Sequence, residues 1–233
     1  MVEHTARSDV GRQREGNEDS LLERTPLFAV ADGMGGAQAG EIASGLAVEA
    51  LSELAEDGID FDELVGGVHE ANRRIHEMAQ EDRSRAGMGT TMTAALVHHG
   101  KISIGHVGDS RAYRWRDGEL AQLTDDHSLV AELERHGKLT AAEARVHPQR
   151  SMILRALGIG SEVEVDTYEL DVHTDDVYLL CSDGLSGLVH DQVIAEVLAG
   201  AETLDQAAIE LIEIANVSGG PDNITTVLFR IGS

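Results

Sequence analysis

Four aspartates stand beside glycine, serine or asparagine where apolar segments begin or end. Asp32, Asp109 and Asp183 end the segments 28–32, 104–109 and 179–183, and Asp222 precedes the apolar residues 224–229. Any one of them alone is explained by ordinary turn chemistry. In an antiparallel sheet, however, one strand enters at the edge where its neighbour exits, so the four carboxylates can converge.

Convergence of four carboxylates implies a cation. Like charges at one sheet edge repel one another and raise each other's pKa, and a divalent ion removes that repulsion. Oxygen ligands with adjacent glycines favour Mg²⁺ or Mn²⁺ over zinc. The aspartates therefore predict a site for hard divalent cations.

An arginine near the amino terminus could accompany such a site. Arg14 precedes Glu18 and Asp19 by four and five residues. Its planar guanidinium suits bidentate binding of a phosphate beside a metal cluster. A surface salt bridge is an equally good interpretation of the spacing alone.

Other metal and hydrolase motifs are absent from the sequence. No zincin His pair, EF-hand loop or Gly-x-Ser-x-Gly elbow occurs, and the scattered histidines are assigned no metal. Cys181 is the one cysteine, which excludes an intrachain disulfide and a thiolate cluster.

The charge balance excludes some classes of partner. With 18 Lys and Arg against 42 Asp and Glu, the formal charge of −24 disfavours binding to nucleic acid or to anionic membranes. No apolar stretch reaches the roughly 18 residues of a membrane span. We expect a cytoplasmic protein, monomeric by default.

Strands and amphipathic helices must hold these residues in place. Short apolar or alternating segments, typical of strands, occur at 27–31, 90–97, 101–107, 112–116, 163–170, 177–181 and 224–231. Tight turns predict antiparallel hairpins between 90–97 and 101–107 and between 112–115 and 120–123.

Helical periodicity marks two early and two late segments. Apolar residues recur with helical spacing over 42–54 and 64–78, and further helices are predicted near 190–199 and 204–216. These patterns predict an α+β class with helix pairs packed on antiparallel sheets. Residues 124–160 break the pattern and are predicted to cross one face, and no linker divides the 233 residues, so one domain is expected.

Taken together, the motifs resemble those of one known family. In order they are Ser8-Asp-x-Gly11-x-x-Arg14-x-x-Asn17-Glu-Asp19, Val30-Ala-Asp32-Gly33-Met-Gly-Gly36, Gly89-Thr-Thr91, Gly108-Asp109-Ser-Arg111, Ser182-Asp183-Gly184 and Asp222-Asn223-x-Thr225. This series is similar to that of bacterial protein phosphatase 2C enzymes over nearly the whole chain. The resemblance implies a four-layer α-β-β-α sandwich of two antiparallel sheets flanked by helix pairs, with 124–160 as its variable flap.

The resemblance also implies a role for each site residue. Asp32 would bridge two Mn²⁺ or Mg²⁺ ions, and the Gly33 carbonyl would bind one of them. Asp183 and Asp222 would complete the other ion's ligands, and Glu18 and Asp19 would support the second metal. Asp109 with Asp183 would hold a third, weaker ion, while Arg14 would bind the phosphate.

The implied reaction is hydrolysis of phosphoserine and phosphothreonine in proteins, opposing serine/threonine kinases. A water activated between the cations would attack phosphorus. Several relatives carry a histidine, a possible general acid, where this chain has Ala37, so a metal-bound water or a nearby group such as His127 is considered instead. A catalytically silent phosphoprotein-binding regulator and a small-molecule phosphatase remain alternatives.

Overall fold

The computed structural model describes residues 1–35, 39–54 and 59–232. Its strands are β1 Val2–Asp9, β2 Asp19–Arg24, β3 Leu27–Met34, β4 Gly89–Thr90, β5 Met92–His98, β6 Lys101–Val107, β7 Arg111–Arg116, β8 Glu119–Gln122, β9 Asp166–Asp171, β10 Val177–Cys181 and β11 Ile224–Ile231. Its α-helices are α1 Ala39–Ser52, α2 Phe61–Glu81, α3 Leu129–Arg135, α4 Ala141–Arg145, α5 Asp183–Ser186, α6 Asp191–Gly200 and α7 Leu204–Val217. A short 3₁₀ turn at Arg83–Arg85 follows α2.

The strands form two antiparallel sheets. The first sheet has the order β1-β11-β10-β7-β8 and the second β2-β3-β5-β6-β9, with β4 paired to the end of β3. Both predicted hairpins are present, as β5–β6 and β7–β8. The β10–β11 pairing places the end of one strand beside the start of the other, as the positions of Asp183 and Asp222 require.

Three apolar cores separate four layers. Between the sheets, Phe28 of the second sheet stacks on Phe229 of the first, with ring centroids 4.4 Å apart. Helices α1 and α2 pack on the outer face of the second sheet, and α6 and α7 pack on the outer face of the first. The predicted α-β-β-α sandwich is therefore confirmed.

Local sequence explains where the long helices begin. Asp60 caps α2 by accepting from the backbone N–H of Glu63, whose carboxylate accepts from the Asp60 N–H in return. Thr203 accepts from the backbone N–H of Gln206 and caps α7. Inward-facing apolar residues at helical spacing then carry both helices over their sheets.

Several predicted boundaries were wrong. The segment 90–97 divides into β4 and β5 at Thr91, whose side chain instead contacts Asp32 and Ser110. Strand β3 continues through Asp32 to Met34, the segment 163–170 becomes a strand only at Asp166, and α1 ends at Ser52. Strands β1 and β2 were not predicted.

Residues 124–160 cross one end of the sheets as the predicted flap. They contain the short helices α3 and α4, each capped by a hydroxyl side chain. Two isolated bridges, Ser128 with Ile153 and Thr90 with Leu157, fasten the segment to itself and to β4. Among the described helices, none is both long and apolar enough to cross a membrane.

Candidate active site

One cavity brings most of the predicted site residues together. It has a volume of about 410 Å³ and lies where β3 and the β10–β11 edge face the flap. Of the predicted site residues, it is lined by Arg14, Glu18, Asp32, Gly33, Asp183 and Asp222. Ser151 and Ile153 of the flap form part of its wall.

Backbone hydrogen bonds to two threonines hold Asp32. Its N–H donates to Thr91 Oγ1 at 2.9 Å, and its carbonyl accepts from the Thr91 N–H and from Thr90 Oγ1, each at 2.9 Å. Thr91 is fully buried and also contacts Ser110 Oγ at 2.8 Å. The Gly89-Thr-Thr91 motif therefore positions the aspartate rather than lining the cavity.

Close packing of β10 against β11 brings Asp183 beside Asp222. The Ser182 N–H donates to Thr225 O at 3.1 Å, and Ser182 Oγ accepts from the Thr225 N–H at 3.0 Å. A Cβ on Gly184 would lie 1.9 Å from Asn223 O, so only glycine allows this approach.

Asn223 fixes the loop that carries Arg14. Its side-chain amide donates to the carbonyls of Val10 and Gly16, both at 2.9 Å, and its Oδ1 accepts from the Glu18 N–H at 2.8 Å. Asn223 belongs to one of the quoted motifs, but no role was predicted for it. An asparagine in a loop rich in glycine and proline is a signal that its side chain hydrogen-bonds to backbone groups there.

Arg14 lies across the cavity mouth. Its Nη2 donates to Asp222 Oδ2 at 2.8 Å, and its Nη1 lies 3.6 Å from Glu18 Oε2. The side chain is 46% exposed, so the guanidinium remains reachable from solvent.

Gly33 lies where the backbone of β3 meets the start of α1. Its N–H donates to Glu18 O at 3.1 Å, and a Cβ at this position would lie 2.1 Å from Gly40 O. A side chain cannot fit there. A Cβ on Gly40 would lie 2.9 Å from the Gly33 carbonyl oxygen and 2.9 Å from the carboxyl carbon of Glu18. The Gly33 carbonyl and the Glu18 carboxylate are therefore close to each other.

Five aspartates form what we call the carboxylate cluster: Asp19, Asp32, Asp109, Asp183 and Asp222. Burial, reinforced by the other members, raises the pKa of Asp32 well above its usual range. Burial likewise raises the pKa of Asp19 to about 7 and, with the charge of Asp222, that of Asp183 to about 6. The cluster thus holds more negative charge than its surroundings stabilise.

Two cluster members lie behind the cavity wall. Asp19 pairs with Asp32 across β2 and β3, and its Oδ2 accepts from Ser182 Oγ at 2.8 Å. Asp109 is 6% exposed and, with Asp183, lines an adjoining cavity of about 280 Å³. Oδ1 of Asp19 and Oδ1 of Asp109 are both buried without a hydrogen-bond partner.

These features fit a divalent cation in chemical type. The donors are carboxylate and carbonyl oxygens, two buried carboxylate oxygens lack partners, and the charge of Asp183 adds to burial in raising the pKa of Asp32. Within 1–35, 39–54 and 59–232, no three Asp, Glu, His or Cys side chains are arranged so that together they could hold a metal ion. Arg14 and Ser182 instead engage two of the carboxylates.

Comparison with known proteins gives this arrangement its context. The model of the family described as protein phosphatase 2C matches residues 12–228. The chain belongs to the protein phosphatase 2C family. The serine/threonine phosphatase stp of Listeria innocua is 40% identical over 234 residues, covering 95% of this chain and 93% of the relative.

Mycobacterial members of the family are similar in sequence and structure. The serine/threonine protein phosphatase PstP of Mycobacterium tuberculosis (strain H37Rv) is 44% identical over 98% of this chain, which spans 45% of that protein's length. The M. tuberculosis PstP/Ppp crystal structure matches with a TM-score of 0.95 and 42% identity, covering 100% of this chain and 99% of that one. The PstP catalytic domain in complex with two manganese ions matches at 0.93 and 40%, covering 100% and 99%.

His127, considered above as a general acid, is not among the residues that line the cavity. It is 5% exposed, its Nδ1 accepts from the Gly108 N–H at 3.0 Å, and its Nε2 lies 3.1 Å from Asp166 Oδ2. Because a backbone N–H can only donate, the ring proton is on Nε2 and is donated to Asp166. That proposal for His127 is therefore wrong. Ala37 lies outside the described residues.

His127 belongs to a second polar group, the histidine cluster, formed by the buried rings of His106 and His127 and the partly exposed side chains of Arg155 and Asp166. The two rings lie 4.8 Å apart, and His106 contacts Thr93 Oγ1 at 2.9 Å and Asp125 O at 3.1 Å. Arg155 pairs with Asp166. These contacts join the base of the flap to the β6–β7 loop that carries Asp109.

Proposed function

We propose that this chain is a metal-dependent phosphatase that hydrolyses phosphoserine and phosphothreonine in proteins. The observation that carries the proposal is the meeting of Asp32, Asp183 and Asp222 with Arg14 in one cavity. Membership of a family whose relatives are named serine/threonine protein phosphatases supports the same reaction. The two manganese ions in the PstP structure support the choice of cation.

The cluster residues would hold Mn²⁺ or Mg²⁺. Asp32, the Gly33 carbonyl, Asp183 and Asp222 would ligate two ions, with Glu18 and Asp19 supporting them. Asp109 with Asp183 would hold a third, because both line the adjoining cavity. Bound cations would supply a water nucleophile activated at neutral pH and offset charge on the phosphoryl group.

Arg14 would bind the phosphoryl group of the substrate. Its contact with Asp222 directs the guanidinium over the carboxylates, and its planar fork matches two phosphate oxygens. Asn223 keeps this loop in place because its side-chain amide donates to the backbone carbonyls of Val10 and Gly16. Arg14 would thereby orient phosphorus towards the carboxylate edge and stabilise negative charge during reaction.

The test is phosphate release from a phosphothreonine peptide with Mn²⁺, with Mg²⁺ or with EDTA. Turnover should require a divalent cation. Asp183→Asn keeps the shape of the side chain but removes its charge, so kcat/KM should fall at least about a hundredfold. Asp117→Asn is the matched control, since Asp117 lies exposed in the β7–β8 turn, where Asn tolerates its φ of 52°.

Two outcomes would contradict the proposal. A folded wild-type protein without turnover in either cation would favour the silent regulator. Faster hydrolysis of free phosphometabolites than of phosphopeptides would favour a small-molecule phosphatase instead. Equal rates for Asp183→Asn and Asp117→Asn would remove Asp183 from the site.

A further inference from the structure

A second cavity continues from the candidate active site along the flap. We call it the side groove; it has a volume of about 370 Å³, and its walls include Met34, Ile153, Leu154, Ile159, Glu162 and Glu164. Met34 and Ile153 also line the active-site cavity. The two cavities therefore adjoin at these two side chains, so a chain bound with its phosphorylated residue over the carboxylates passes beside the side groove.

The side groove exposes apolar side chains that the fold does not cover. Leu154 is 55% exposed and Ile159 is 57% exposed, and Met152 beside them is 46% exposed. Most large apolar side chains in the described residues are buried in the three cores. An apolar patch beside a catalytic cavity is typical of a binding surface.

The residues that carry this patch are held firmly. Leu157 exchanges two backbone hydrogen bonds with Thr90, at 2.9 and 3.2 Å. Asn72 of α2 accepts from the Gly158 N–H at 2.8 Å and donates to Gly160 O at 3.1 Å. The patch is therefore preformed, which lowers the entropic cost of binding.

The rim of the side groove is acidic. Glu162 is exposed, and no ion pair to it occurs within the part of the chain that the structure describes. Glu164 is 80% exposed and lies 3.3 Å from Arg155, whose guanidinium is also engaged by Asp166. The rim therefore favours a basic group on whatever binds there.

We propose that the side groove binds the extended segment of a phosphoprotein substrate next to its phosphorylated residue. The segment would place a Leu, Ile or Met side chain against Leu154 and Ile159, and an adjacent Lys or Arg against Glu162. Because an extended chain advances about 3.3 Å per residue, the preferred position of this pair in a peptide would report the distance from the carboxylates to the side groove. The proposal rests on the phosphatase function proposed above.

The test uses a series of phosphothreonine peptides in which a Leu-Arg pair is placed at successive positions before and after the phosphothreonine. Each peptide is compared with one that carries Ala-Gln in place of Leu-Arg. For each enzyme, kcat/KM on the peptide is divided by kcat/KM on p-nitrophenyl phosphate. This small substrate is too short to reach the side groove when its phosphoryl group lies over the carboxylates. We expect one position of Leu-Arg to raise this ratio about tenfold in the wild type. Ile159→Asp and Leu154→Asp should remove that preference.

The charge on the rim has its own arm of the test. Glu162→Lys should lower the ratio for Leu-Arg and raise it for Leu-Glu. Ile209→Asp is the matched control, because Ile209 is 42% exposed on α7, in the outer helical layer of the first sheet. It should keep the wild-type preference.

The outcomes separate this proposal from the phosphatase function. Wild-type hydrolysis of both substrates with no preference at any position, or a preference unchanged in Ile159→Asp and Leu154→Asp, would overturn the side groove alone. Hydrolysis of neither substrate would overturn the phosphatase function. In that case the binding of a labelled Leu-Arg peptide, measured by fluorescence anisotropy, would test the side groove separately. Equally tight binding by Ile159→Asp and the wild type would overturn the side-groove proposal.

Discussion

Two partly buried polar groups flank the β6–β7 loop, and they are built on opposite principles. In the histidine cluster Asp166 contacts both His127 and Arg155, and His106 contacts Thr93 and the Asp125 carbonyl, although Arg155 Nη1 also lies 3.0 Å from His127 Nε2. In the carboxylate cluster the neighbours of Asp32 are other carboxylates, and Asp19 and Asp109 each bury an unpartnered oxygen. The first group is satisfied within the chain, whereas the second is suited to an external cation.

This difference separates a structural role from a ligand-binding role. Buried polar networks that are complete stabilise one arrangement of the chain. Buried like charges destabilise the fold unless something binds them, so their retention points to a bound ion. The comparison therefore predicts that substitutions in the two groups change stability in opposite ways.

The largest expected effect concerns the gain in stability on cation binding. Mn²⁺ at about 100 times its dissociation constant should raise the free energy of unfolding of the wild type by about 3 kcal/mol. Asp32→Asn should lose most of that gain, because one central ligand charge is removed. In EDTA the same variant should be at least as stable as the wild type, because a buried like charge is gone.

Thermal and urea unfolding with and without Mn²⁺ measure both quantities. Asp117→Asn is again the control and should behave as the wild type. If Asp32→Asn gains as much stability from Mn²⁺ as the control does, the carboxylate cluster is not where the cation binds.

A smaller effect is expected at the histidine cluster. His127→Ala leaves the buried Gly108 N–H without its acceptor and removes one of the two partners of Asp166, the other being Arg155. The free energy of unfolding should fall by about 2 kcal/mol, while most of the gain on adding Mn²⁺ is retained. Urea unfolding tests this against His136→Ala, an exposed position at the end of α3 that should change stability by less than about 0.5 kcal/mol. Equal losses in the two variants would show that the buried network contributes nothing.

The same contrast explains what could be predicted from the sequence. Asp32, Asp183 and Asp222 stand out because residue type, adjacent glycines and strand ends are local features. The helical periods of α1, α2, α6 and α7 are local too, and those helices lie close to their predicted positions.

What sequence reasoning missed depends on distant partners. Strand β1 has no fully buried side chain and several charged ones, and it is a strand because all eight residues pair with β11. His127 is 39 residues from Asp166 in the chain, and nothing near it in the sequence indicates that its ring faces inward. Its distance from the cavity could be learned only from the tertiary structure.

The effect that is smallest per unit of change, about 1 kcal/mol for each pH unit, is a pair of opposite pH dependences in EDTA. The pKa of Asp19 is raised by burial to about 7 from an ordinary 3.8, so the native state keeps a proton that the unfolded chain has released. Stability from this group therefore falls as the pH rises from about 4 to 7. Burial lowers the pKa of His106 from 6.5 to about 3, so stability from the histidine is lost as the pH falls below 6.5.

Differences between variant and wild type isolate each contribution from other titrating groups. The free energy of unfolding of Asp19→Asn minus that of the wild type should increase from pH 5 to pH 7. The same difference for His106→Gln should increase in the opposite direction, from pH 6.5 down to pH 5, because the variant lacks the imidazole that takes up a proton in the unfolded chain but not in the native state. Mn²⁺ should abolish the first trend by keeping the carboxylates ionised, and it should leave the second unchanged. Parallel trends in the two variants would mean that the carboxylate and histidine clusters do not differ in the way the structure indicates.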